Sequence, residues 1–433
     1  MSHPAGQSPK PSKSLPPEKE EPSKSQINMA SPDPSHPPPL KGLRILDLTR
    51  LYPGPLATMM LAEMGADVIK IEDKIKPDYM RSYPPFVGEL SAGYVAVNRS
   101  KRSLVLQLNT PRGQEVFFRL VKKADIVVEQ FRPGTLDELG LGYEEAIKSN
   151  PEIIYVSLTG YGQSGPYANK AGHDINYLGY SGLLSLNAAE SHGPVIPGFQ
   201  IADVAGGAYM TIIACLTALH ARNFTGKGQK VDVSMLDGLL PLATLQLAHF
   251  QATGQHLSSW ELPLSGGLPA YGVFRCADGK YLALGALEPK FWRSFCEMIK
   301  KPEWINKLYA MGEEAQRMKE EMKKIFLSRT RDEWLSLQGE QDMCLTPVLG
   351  IDELEKDTHI HHRNVLFRKV FPHSGEILGV RVPLHFSHNR LRVPSAPPLL
   401  GEHSVEVLRE AGFTQEEIQS LVNSGIVLDG RQT

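Results

Sequence analysis

The chain has 433 residues, of which 41% are hydrophobic and 22% are charged, a composition that excludes a collagen-like or fully disordered protein. Its 46 basic and 48 acidic residues give a formal net charge of −2, so the basic surface expected of a nucleic-acid-binding protein is missing. The four cysteines are far apart and fit no CxxC pattern, which disfavours a structural zinc site or a disulfide scaffold and favours reduced thiols in an intracellular protein.

The first forty residues differ from the rest, because eleven of them are proline and most others are serine, lysine or glutamate. Such a segment buries too little apolar surface to offset its conformational entropy, so we expect a disordered tail over 1–40. It resembles neither a secretory signal nor an arginine-rich mitochondrial leader, and Gly430–Thr433 is not a peroxisomal ending. A cytoplasmic location is the default expectation, with mitochondria and peroxisomes as alternatives.

Alternating strand and helix patterns begin near residue 41. Arg44–Leu48 predicts a strand, Leu56–Met64 a helix and Asp67–Glu72 a second strand, and such a βαβ unit implies a parallel sheet. Further elements of the same kind are predicted at Ser103–Leu108, Pro111–Lys123, Asp125–Glu129 and Ile153–Leu158. The repetition predicts the α/β class, with a Rossmann-like, doubly wound large domain.

The later sequence predicts a smaller α+β domain. Tyr271–Arg275 and Lys280–Gly285 flank a turn that is typical of a hairpin, and helical patterns follow over Phe291–Ile299 and Gly312–Leu327. The apolar run Ala205–Ala221 is short and leads into an arginine, so we predict a core helix and no membrane span. The predicted organisation is a tail over 1–40, a large α/β domain over 41–236, a linker over 237–262, a small domain over 263–350 and a segment over 351–433 that returns to the large domain.

Three features of the large domain could bind a ligand. Glu72 ends a strand where dinucleotide-binding folds place an acid, but Leu51–Pro55 holds a single glycine, so a nicotinamide site is not expected. The basic run Asn98–Ser103 fits either a phosphate-binding loop or a solvated turn. Gly160–Gly165 follows a strand, where α/β folds bind ligands, but it does not match G-x-S-x-G, which disfavours Ser164 as a nucleophile.

Two acidic positions are candidates for acid–base chemistry. His173 and Asp174 adjoin a predicted helix start, where a base and free N–H groups could act together, although Asp174 could equally be a helix cap. Asp203 directly precedes an apolar helix, and burial there would raise its pKa, with helix capping again as the alternative. The histidine patch over 359–362 lacks nearby cysteines or paired carboxylates, so a solvated helix end is favoured over a metal site.

Seven short motifs occur together between residues 40 and 427. They are Pro53-Gly54-Pro55, Gly65-Ala66-Asp67-Val68, Lys101–Leu106, Arg132-Pro133-Gly134, Gly160–Gly165, Thr225–Gln229 and Gly401-Glu402-His403. This combination resembles CoA-transferase family III (CaiB/BaiF-like), whose members include CoA-transferases and 2-methylacyl-CoA racemases. The resemblance implies an interlocked homodimer with its active site between the large domain of one subunit and the small domain of the other.

Local segments favour the racemase branch. Gly172–Tyr177 is similar to the racemase motif, which implies that His173 is one of two catalytic bases and that Asp203 is the second. The segment around Glu288 is similar to the one whose glutamate supports that histidine, and Gly266–Tyr271 is similar to the racemase loop. The implied reaction is a 1,1-proton transfer through an enolate, whose oxygen the backbone N–H of the residue after His173 would bind.

Two departures count against the racemase branch. Phe199 stands where racemases carry asparagine, and Ser265 replaces a common aspartate. In the transferase alternative, Asp174 attacks an acyl-CoA and forms an acyl anhydride before CoA passes to a free carboxylic acid. A CoA-binding protein without activity is a third possibility, which the joint presence of His173, Asp203 and Glu288 disfavours.

The same resemblance implies an acyl-CoA thioester as substrate, with no metal and no redox cofactor. No nucleic acid and no membrane are expected as partners. The residues predicted to bind the CoA portion are Lys70, Arg99, Lys101, Arg102, Gly162 and Gln163.

Overall fold

The computed structural model describes residues 36–189, 193–255 and 261–431, so most of the predicted tail lies outside the described residues. The strands, in chain order, are β1 (Arg44–Leu48), β2 (Asp67–Glu72), β3 (Phe86–Val87), β4 (Leu90–Ser91), β5 (Arg102–Leu106), β6 (Ile126–Glu129), β7 (Ile154–Thr159), β8 (Ala188–Ala189), β9 (Gly193–Pro194), β10 (Lys230–Ser234), β11 (Tyr271–Arg275), β12 (Tyr281–Gly285), β13 (Leu345–Val348), β14 (Leu366–Phe371), β15 (Gly375–Val380) and β16 (Val427–Leu428). The α-helices are α1 (Pro53–Glu63), α2 (Ala92–Asn98), α3 (Pro111–Val121), α4 (Thr135–Glu138), α5 (Tyr143–Ser149), α6 (Asp174–Tyr180), α7 (Leu183–Leu186), α8 (Met210–Thr225), α9 (Met235–Leu239), α10 (Thr244–Thr253), α11 (Pro289–Met298), α12 (Gly312–Phe326), α13 (Arg331–Gln338), α14 (Thr358–Arg363), α15 (Ser404–Glu410) and α16 (Gln415–Asn423).

The large sheet has seven strands in the order β10-β7-β6-β1-β2-β5-β16. All neighbours are parallel except the edge strand β16, which pairs antiparallel with β5. The chain therefore winds outward from β1 in one direction through β2 and β5, and in the other through β6, β7 and β10. This topology confirms the predicted doubly wound α/β fold and sets its switch point between β1 and β6.

Apolar side chains cover both faces of this sheet. On one face, Phe117 of α3, Leu408 of α15 and Leu421 of α16 pack against the strands. On the other face, the core includes Leu61 of α1 and Cys215 of α8. Because both faces are covered, the inner strands are nearly continuous apolar runs.

The smaller α+β unit is built on the antiparallel sheet β11-β12-β13. Its core is aromatic, with Trp292, Phe295, Phe326 and Trp334 buried among the helices α11 to α13. A separate hairpin, β14–β15, packs against α2 through Val95 and other apolar residues. The predicted hairpin and both predicted helices of this unit are confirmed within one or two residues.

The first helix begins earlier than predicted. We expected the Pro-Gly-Pro run to precede a helix at Leu56, but α1 starts at Pro53. Proline is well tolerated in the first helical turn, where its missing N–H has no intrahelical acceptor to lose. The run therefore opens the helix that leads away from β1.

The predicted apolar helix is a π-helix (Ala202–Tyr209) that continues into α8. Gly206 and Gly207 allow its close packing, since a Cβ on Gly206 would lie 2.3 Å from the carbonyl oxygen of Met235 and one on Gly207 would lie 2.8 Å from the Cβ of Pro53. Within the described ranges, Ala202–Thr225 is the single helical stretch whose length and mean hydropathy of 1.5 would also suit a membrane span. One face of this stretch, with Ala202, Cys215 and Ala218, packs in the core beside the sheet. The opposite face exposes Ile213 and Phe224, so the prediction of a buried core helix holds for one face of the helix only.

Candidate active site

A cleft of about 790 Å³ opens at the carboxyl ends of β1, β6 and β7. The residues that follow these strands line it, together with the start of α6 and the start of the π-helix. This position is the switch point of the sheet, where the loops of neighbouring strands diverge and leave a crevice. The fold thus brings together segments that are far apart in sequence.

His173 lies at the N-cap of α6, with its side chain exposed in the cleft wall. The backbone N–H of His173 donates a hydrogen bond to Oδ1 of Asn176 at 3.0 Å. The hydroxyl of Tyr177 donates to the carbonyl of Gly172 at 2.6 Å, and a Cβ at Gly172 would lie 2.8 Å from the Tyr177 ring. The glycine and the tyrosine therefore fix the turn that presents the imidazole.

Asp203 lies in the first turn of the π-helix and lines the same cleft as His173. Its backbone N–H donates to Oδ1 of Asp174 at 2.9 Å, a contact that joins the π-helix to α6. Burial, and secondly the nearby carboxylate of Asp174, raises the pKa of Asp203 to about 6. A carboxyl group that titrates near neutrality suits proton transfer in both directions.

Glu288 lies elsewhere in the chain. It is the exposed N-cap residue of α11 in the smaller unit, and it is not among the residues that line the cleft. We expected Glu288 to support His173 by hydrogen bonding. Within one chain, the structure does not bring the two residues together. Any contact between the two would need a second subunit.

Two of the four predicted phosphate-binding cations are enclosed in the core. Lys70 is fully buried and pairs with Asp78 at 3.0 Å, and its ammonium also donates to the carbonyl of Thr49 at 2.8 Å. Lys101 is equally buried and pairs with Asp47 at 2.9 Å. A phosphate cannot reach either ammonium group, so the structure does not support the role we expected for them.

The other two predicted cations are also paired within the fold. Arg99 is buried and lies 3.2 Å from Glu63, while Arg102 contacts Asp67 at 2.6 Å and Glu410 at 2.9 Å. The structure does not support a phosphate-binding role for these two arginines. We predicted this role from motif position and charge. A sequence does not reveal which cations are already paired with carboxylates in the fold.

The glycine loop contacts the cleft through its first two residues, Gly160 and Tyr161. The predicted CoA-binding residues Gly162 and Gln163 do not line it, and the backbone N–H of Gln163 donates instead to Oδ2 of Asp232 at 2.9 Å. A Cβ at Gly160 would lie 2.5 Å from the ring of Tyr177. This glycine therefore serves the packing beneath His173.

Two further sequence candidates lie outside the cleft. Glu72 is buried and pairs with Arg81 at 2.6 Å, so its carboxylate is not free for a ribose. The histidines of residues 359–362 lie on the short helix α14. Across the described ranges, no three side chains of the His, Cys, Asp or Glu types are grouped as metal ligands would be.

The sequence analysis missed two cations of the cleft wall, Arg132 and Lys170. The ammonium of Lys170 lies 4.0 Å from the ring centre of Tyr167 and donates to the hydroxyl of Tyr180 at 3.2 Å. In the part of the chain that the structure describes, neither cation pairs with a carboxylate. Arg132 stands in a motif that we had noted without assigning it a role, and that position was an available signal.

Two residues of the cleft lining have a polar atom without a partner. Oε1 of Gln130 and Oγ1 of Thr159 are buried without a hydrogen-bond partner among the described residues, and both residues line the cleft. Buried polar atoms usually have a partner, so such atoms in a cleft wall suit a bound ligand. Gln130 directly follows β6 and Thr159 is the last residue of β7, so both stand at carboxyl ends of strands, a position that the strand predictions could have revealed.

Comparison with known proteins identifies relatives over nearly the whole chain. The model of CoA-transferase family III matches residues 40–404. An alpha-methylacyl-CoA racemase from Homo sapiens is 36% identical over 397 residues, which cover 90% of this chain and 97% of the relative. A succinyl-CoA:glutarate CoA-transferase from Mus musculus is 33% identical over 398 residues, 90% of each chain. The crystal structure of a CaiB/BaiF family protein from Brucella suis has a TM-score of 0.76 at 28% identity, covering 87% of this chain and 100% of that one.

Proposed function

Because the chain belongs to CoA-transferase family III, we propose that it is an enzyme that interconverts the two α-epimers of a 2-methylacyl-CoA thioester. The family supports an enzyme acting on CoA thioesters, and relatives of both chemistries are similar to it. The observation that carries the proposal is the pair His173 and Asp203 in the wall of one cleft. The pKa of about 6 for Asp203 supports its use as both base and acid.

The proposed reaction uses one group on each face of the α-carbon. Asp203 removes the α-proton from one face, and the C–H electron pair forms the enolate double bond. Protonated His173 then delivers a proton to the opposite face, and the electron pair returns to form the new C–H bond. The reverse direction exchanges the two roles. Because an α-proton next to a thioester is weakly acidic, the site must also stabilise the enolate oxygen.

The start of α6 could supply that stabilisation. Asp174 is the first residue of this helix, and its backbone N–H donates no hydrogen bond within the described chain. Free N–H groups at a helix start carry partial positive charge. In the proposal this N–H donates to the thioester oxygen as negative charge develops there.

The CoA portion would lie along the wall that the sequence analysis missed. Gln130 and Thr159 have buried polar atoms that could hydrogen-bond the amide groups of the pantetheine arm. Arg132 and Lys170, which pair with no carboxylate among the described residues, could pair with the phosphates. These four residues replace the buried cations of our original expectation.

We further propose that the active enzyme is a homodimer. The helices α8 and α10 expose large apolar side chains, among them Ile213 at 52%, Leu245 at 69% and Phe250 at 55%. Exposed apolar area of this extent is typical of an interface. A second copy that covers this face could also bring its own Glu288 to the cleft. The molar mass in solution tests this, and a monomer would contradict it.

Heavy water provides the test of the chemistry. The protein is incubated in D₂O with a 2-methylacyl-CoA and no acceptor acid, and the mass of the recovered acyl group is measured. We expect one deuterium at the α-carbon, because the enolate is reprotonated from solvent-exchanged groups. A His173→Ala variant and an Asp203→Asn variant serve as controls, and an absence of exchange in the unchanged protein would refute the proposal.

A second candidate function is CoA transfer between carboxylic acids. The observations that favour it are the carboxylate of Asp174 beside the cleft and the departures at Phe199 and Ser265. In this reaction the carboxylate attacks the thioester, forms an anhydride and releases the CoA thiolate. Borohydride trapping at Asp174, together with CoA transfer that requires an acceptor acid and no α-exchange, would establish it.

A further inference from the structure

The strand β1 is joined to α1 by residues 49–52, which we call the rim turn. Leu51 and Tyr52 of this turn line the cleft. Leu51 has a φ of +63°, in the left-handed region, which residues with a side chain seldom adopt because their Cβ approaches the backbone there. Such a conformation persists only where neighbouring groups hold it, and it is concentrated at functional sites.

A buried ion pair holds the rim turn. Oδ1 of Asp78 accepts a hydrogen bond from the backbone N–H of Leu51 at 3.1 Å. Oδ2 of Asp78 pairs with the ammonium of Lys70 at 3.0 Å, which also donates to the carbonyl oxygen of Thr49 at 2.8 Å. Both charged side chains are 0% exposed, so water does not compete for these bonds to the turn.

Asp78 also holds a second part of the cleft wall. It is the N-cap residue of a short 3₁₀-helix, Tyr79–Ser82, and its Oδ1 accepts from the backbone N–H of Met80 at 3.0 Å. Tyr79 and Met80 line the cleft, as the rim turn does, whereas Asp78 itself does not. One carboxylate outside the cleft lining therefore fixes two segments of the wall relative to each other.

Tyr52 brings an aromatic ring near the acid of the cleft. Burial, and secondly Asp203, raises the pKa of Tyr52, which agrees with a short distance between this ring and that carboxyl group. The other titratable groups that interact with Asp203 are Asp174 and Tyr177 of α6, and His173 lines the same cleft. Burial is the main reason for the raised pKa of Asp203. A displaced rim turn would admit water to this carboxyl group and lower its pKa.

We propose that Asp78 is a positioning residue of the active site, which holds the strained rim turn so that Tyr52 stays beside Asp203. The inference rests on the proposed function for the use of Asp203 as a base. Lys70 keeps the carboxylate of Asp78 in place, and neither residue touches the substrate.

Two double variants test the hydrogen bond to the rim turn. Lys70→Met with Asp78→Leu removes both charges and the acceptor, so that no buried charge is left unpaired. Lys70→Met with Asp78→Asn removes the same charges but keeps an amide oxygen that can accept from Leu51, and it is the matched control. Circular dichroism checks that both fold. Amide hydrogen exchange over residues 49–52, read by mass spectrometry, should be about tenfold faster in the Asp78→Leu double variant than in the control.

Epimerisation kinetics measure the effect on activity. We expect kcat of the Asp78→Leu double variant to fall by about ten- to a hundredfold, with KM changed by less than about threefold, because the proton-transferring groups are displaced while the CoA portion binds as before. The loss of kcat/KM on acidification should move from about pH 6 toward the ordinary carboxyl value of 3.8. The Asp78→Asn double variant should keep the original pH profile and lose less than about threefold in kcat.

Substitutions of Leu51 test the strain and leave the buried pair intact. Leu51→Val puts a β-branched side chain in the left-handed region, where it is strongly disfavoured, whereas glycine adopts that region freely. We expect kcat of Leu51→Gly to exceed that of Leu51→Val by about tenfold. Added to the Asp78→Leu double variant, Leu51→Gly should recover part of the lost rate.

Equal amide exchange or equal kcat in the two double variants would overturn the inference, and so would equal kcat in Leu51→Val and Leu51→Gly. If the double variants do not fold, the two Leu51 variants decide the question. If the unchanged protein exchanges no α-proton, the proposed function fails, whereas the amide exchange still shows whether Asp78 holds the rim turn.

Discussion

Two groups of charges near the carboxyl ends of the central strands differ in how far they are neutralised. In the buried group, Lys70 pairs with Asp78 and Lys101 pairs with Asp47, and all four side chains are 0% exposed. In the cleft, the carboxylate of Asp203 accepts no hydrogen bond within the described ranges, and the carboxylate of Asp174 acts on it as a like charge.

The contrast is clearest for two residues of the same type. Burial raises the pKa of Asp47, but Lys101, Lys70 and two hydroxyl groups outweigh it, so that the pKa falls to about 2. For Asp203, burial and a like charge act together, and the pKa rises to about 6. Neutralised charges of the first kind support the fold, whereas a charge of the second kind destabilises the fold and is available for chemistry.

The largest expected effect is on activity. His173→Ala and Asp203→Asn should each lower the rate of epimerisation by about 10²- to 10⁴-fold, because each removes one of two proton-transferring groups. Chiral analysis of the acyl group over time measures the rate. Unchanged circular dichroism would show that the fold is intact, and epimerisation at the original rate in either variant would remove that residue from the mechanism.

Removing one charge from the buried group should lower the stability of the fold. Lys101→Met leaves the carboxylate of Asp47 buried without its main partner, so we expect the free energy of unfolding to fall by about 3–5 kcal/mol. Urea denaturation measures this. Lys148→Met is the control, since Lys148 is exposed and pairs with Glu145 at the surface, where a loss of less than about 1 kcal/mol is expected. Equal losses in the Lys101→Met and Lys148→Met variants would show that the buried pair contributes no more to stability than an exposed one.

Removing the charge of Asp203 in the cleft should raise the free energy of unfolding, whereas removing that of Lys101 should lower it. The pKa of Asp203 is about 6 in the folded protein, above its ordinary value of 3.8, so folding penalises the ionised form. Asp203→Asn should therefore stabilise the protein above pH 6, by about 1–2 kcal/mol after allowance for partial exposure. The gain should vanish below about pH 4. Destabilisation at pH 7 would show that the carboxylate has a partner after all.

The rate should depend on pH through the same group. Asp203 must be ionised to act as a base, so kcat/KM should fall below about pH 6, by roughly tenfold for each further pH unit. Initial rates between pH 4.5 and 8 measure this for the epimer whose α-proton faces Asp203. A profile that stays flat down to pH 5 would be inconsistent with Asp203 as that base.

The smallest expected effect concerns the CoA portion. Arg132→Gln and Lys170→Gln should each raise KM by about three- to tenfold with kcat nearly unchanged, because an exposed ion pair with phosphate contributes little more. Steady-state kinetics measure both constants, with Lys148→Gln as the control. If Arg102→Gln raised KM more than either variant, the paired cations would have to be considered again.

The chain order of strands and helices was predictable, because buried parallel strands are apolar runs and helices have a different period. Asp203 was predictable from a carboxylate before an apolar helix. The environment of Lys70 was not, because its partner Asp78 lies in an irregular segment that no periodicity identifies. Tyr52 lines the cleft and also a second cavity, whose wall includes the hairpin β14–β15 more than 300 residues away. Only the fold reveals this proximity.

The most direct test of the central claim follows both stereochemistry and isotope in D₂O from one pure epimer. If His173 and Asp203 act on opposite faces, the inverted product should carry α-deuterium from the first turnovers, while the remaining substrate initially stays unlabelled. If deuterium enters the substrate without inversion, a single group exchanges the proton on one face, and the two-residue account is contradicted.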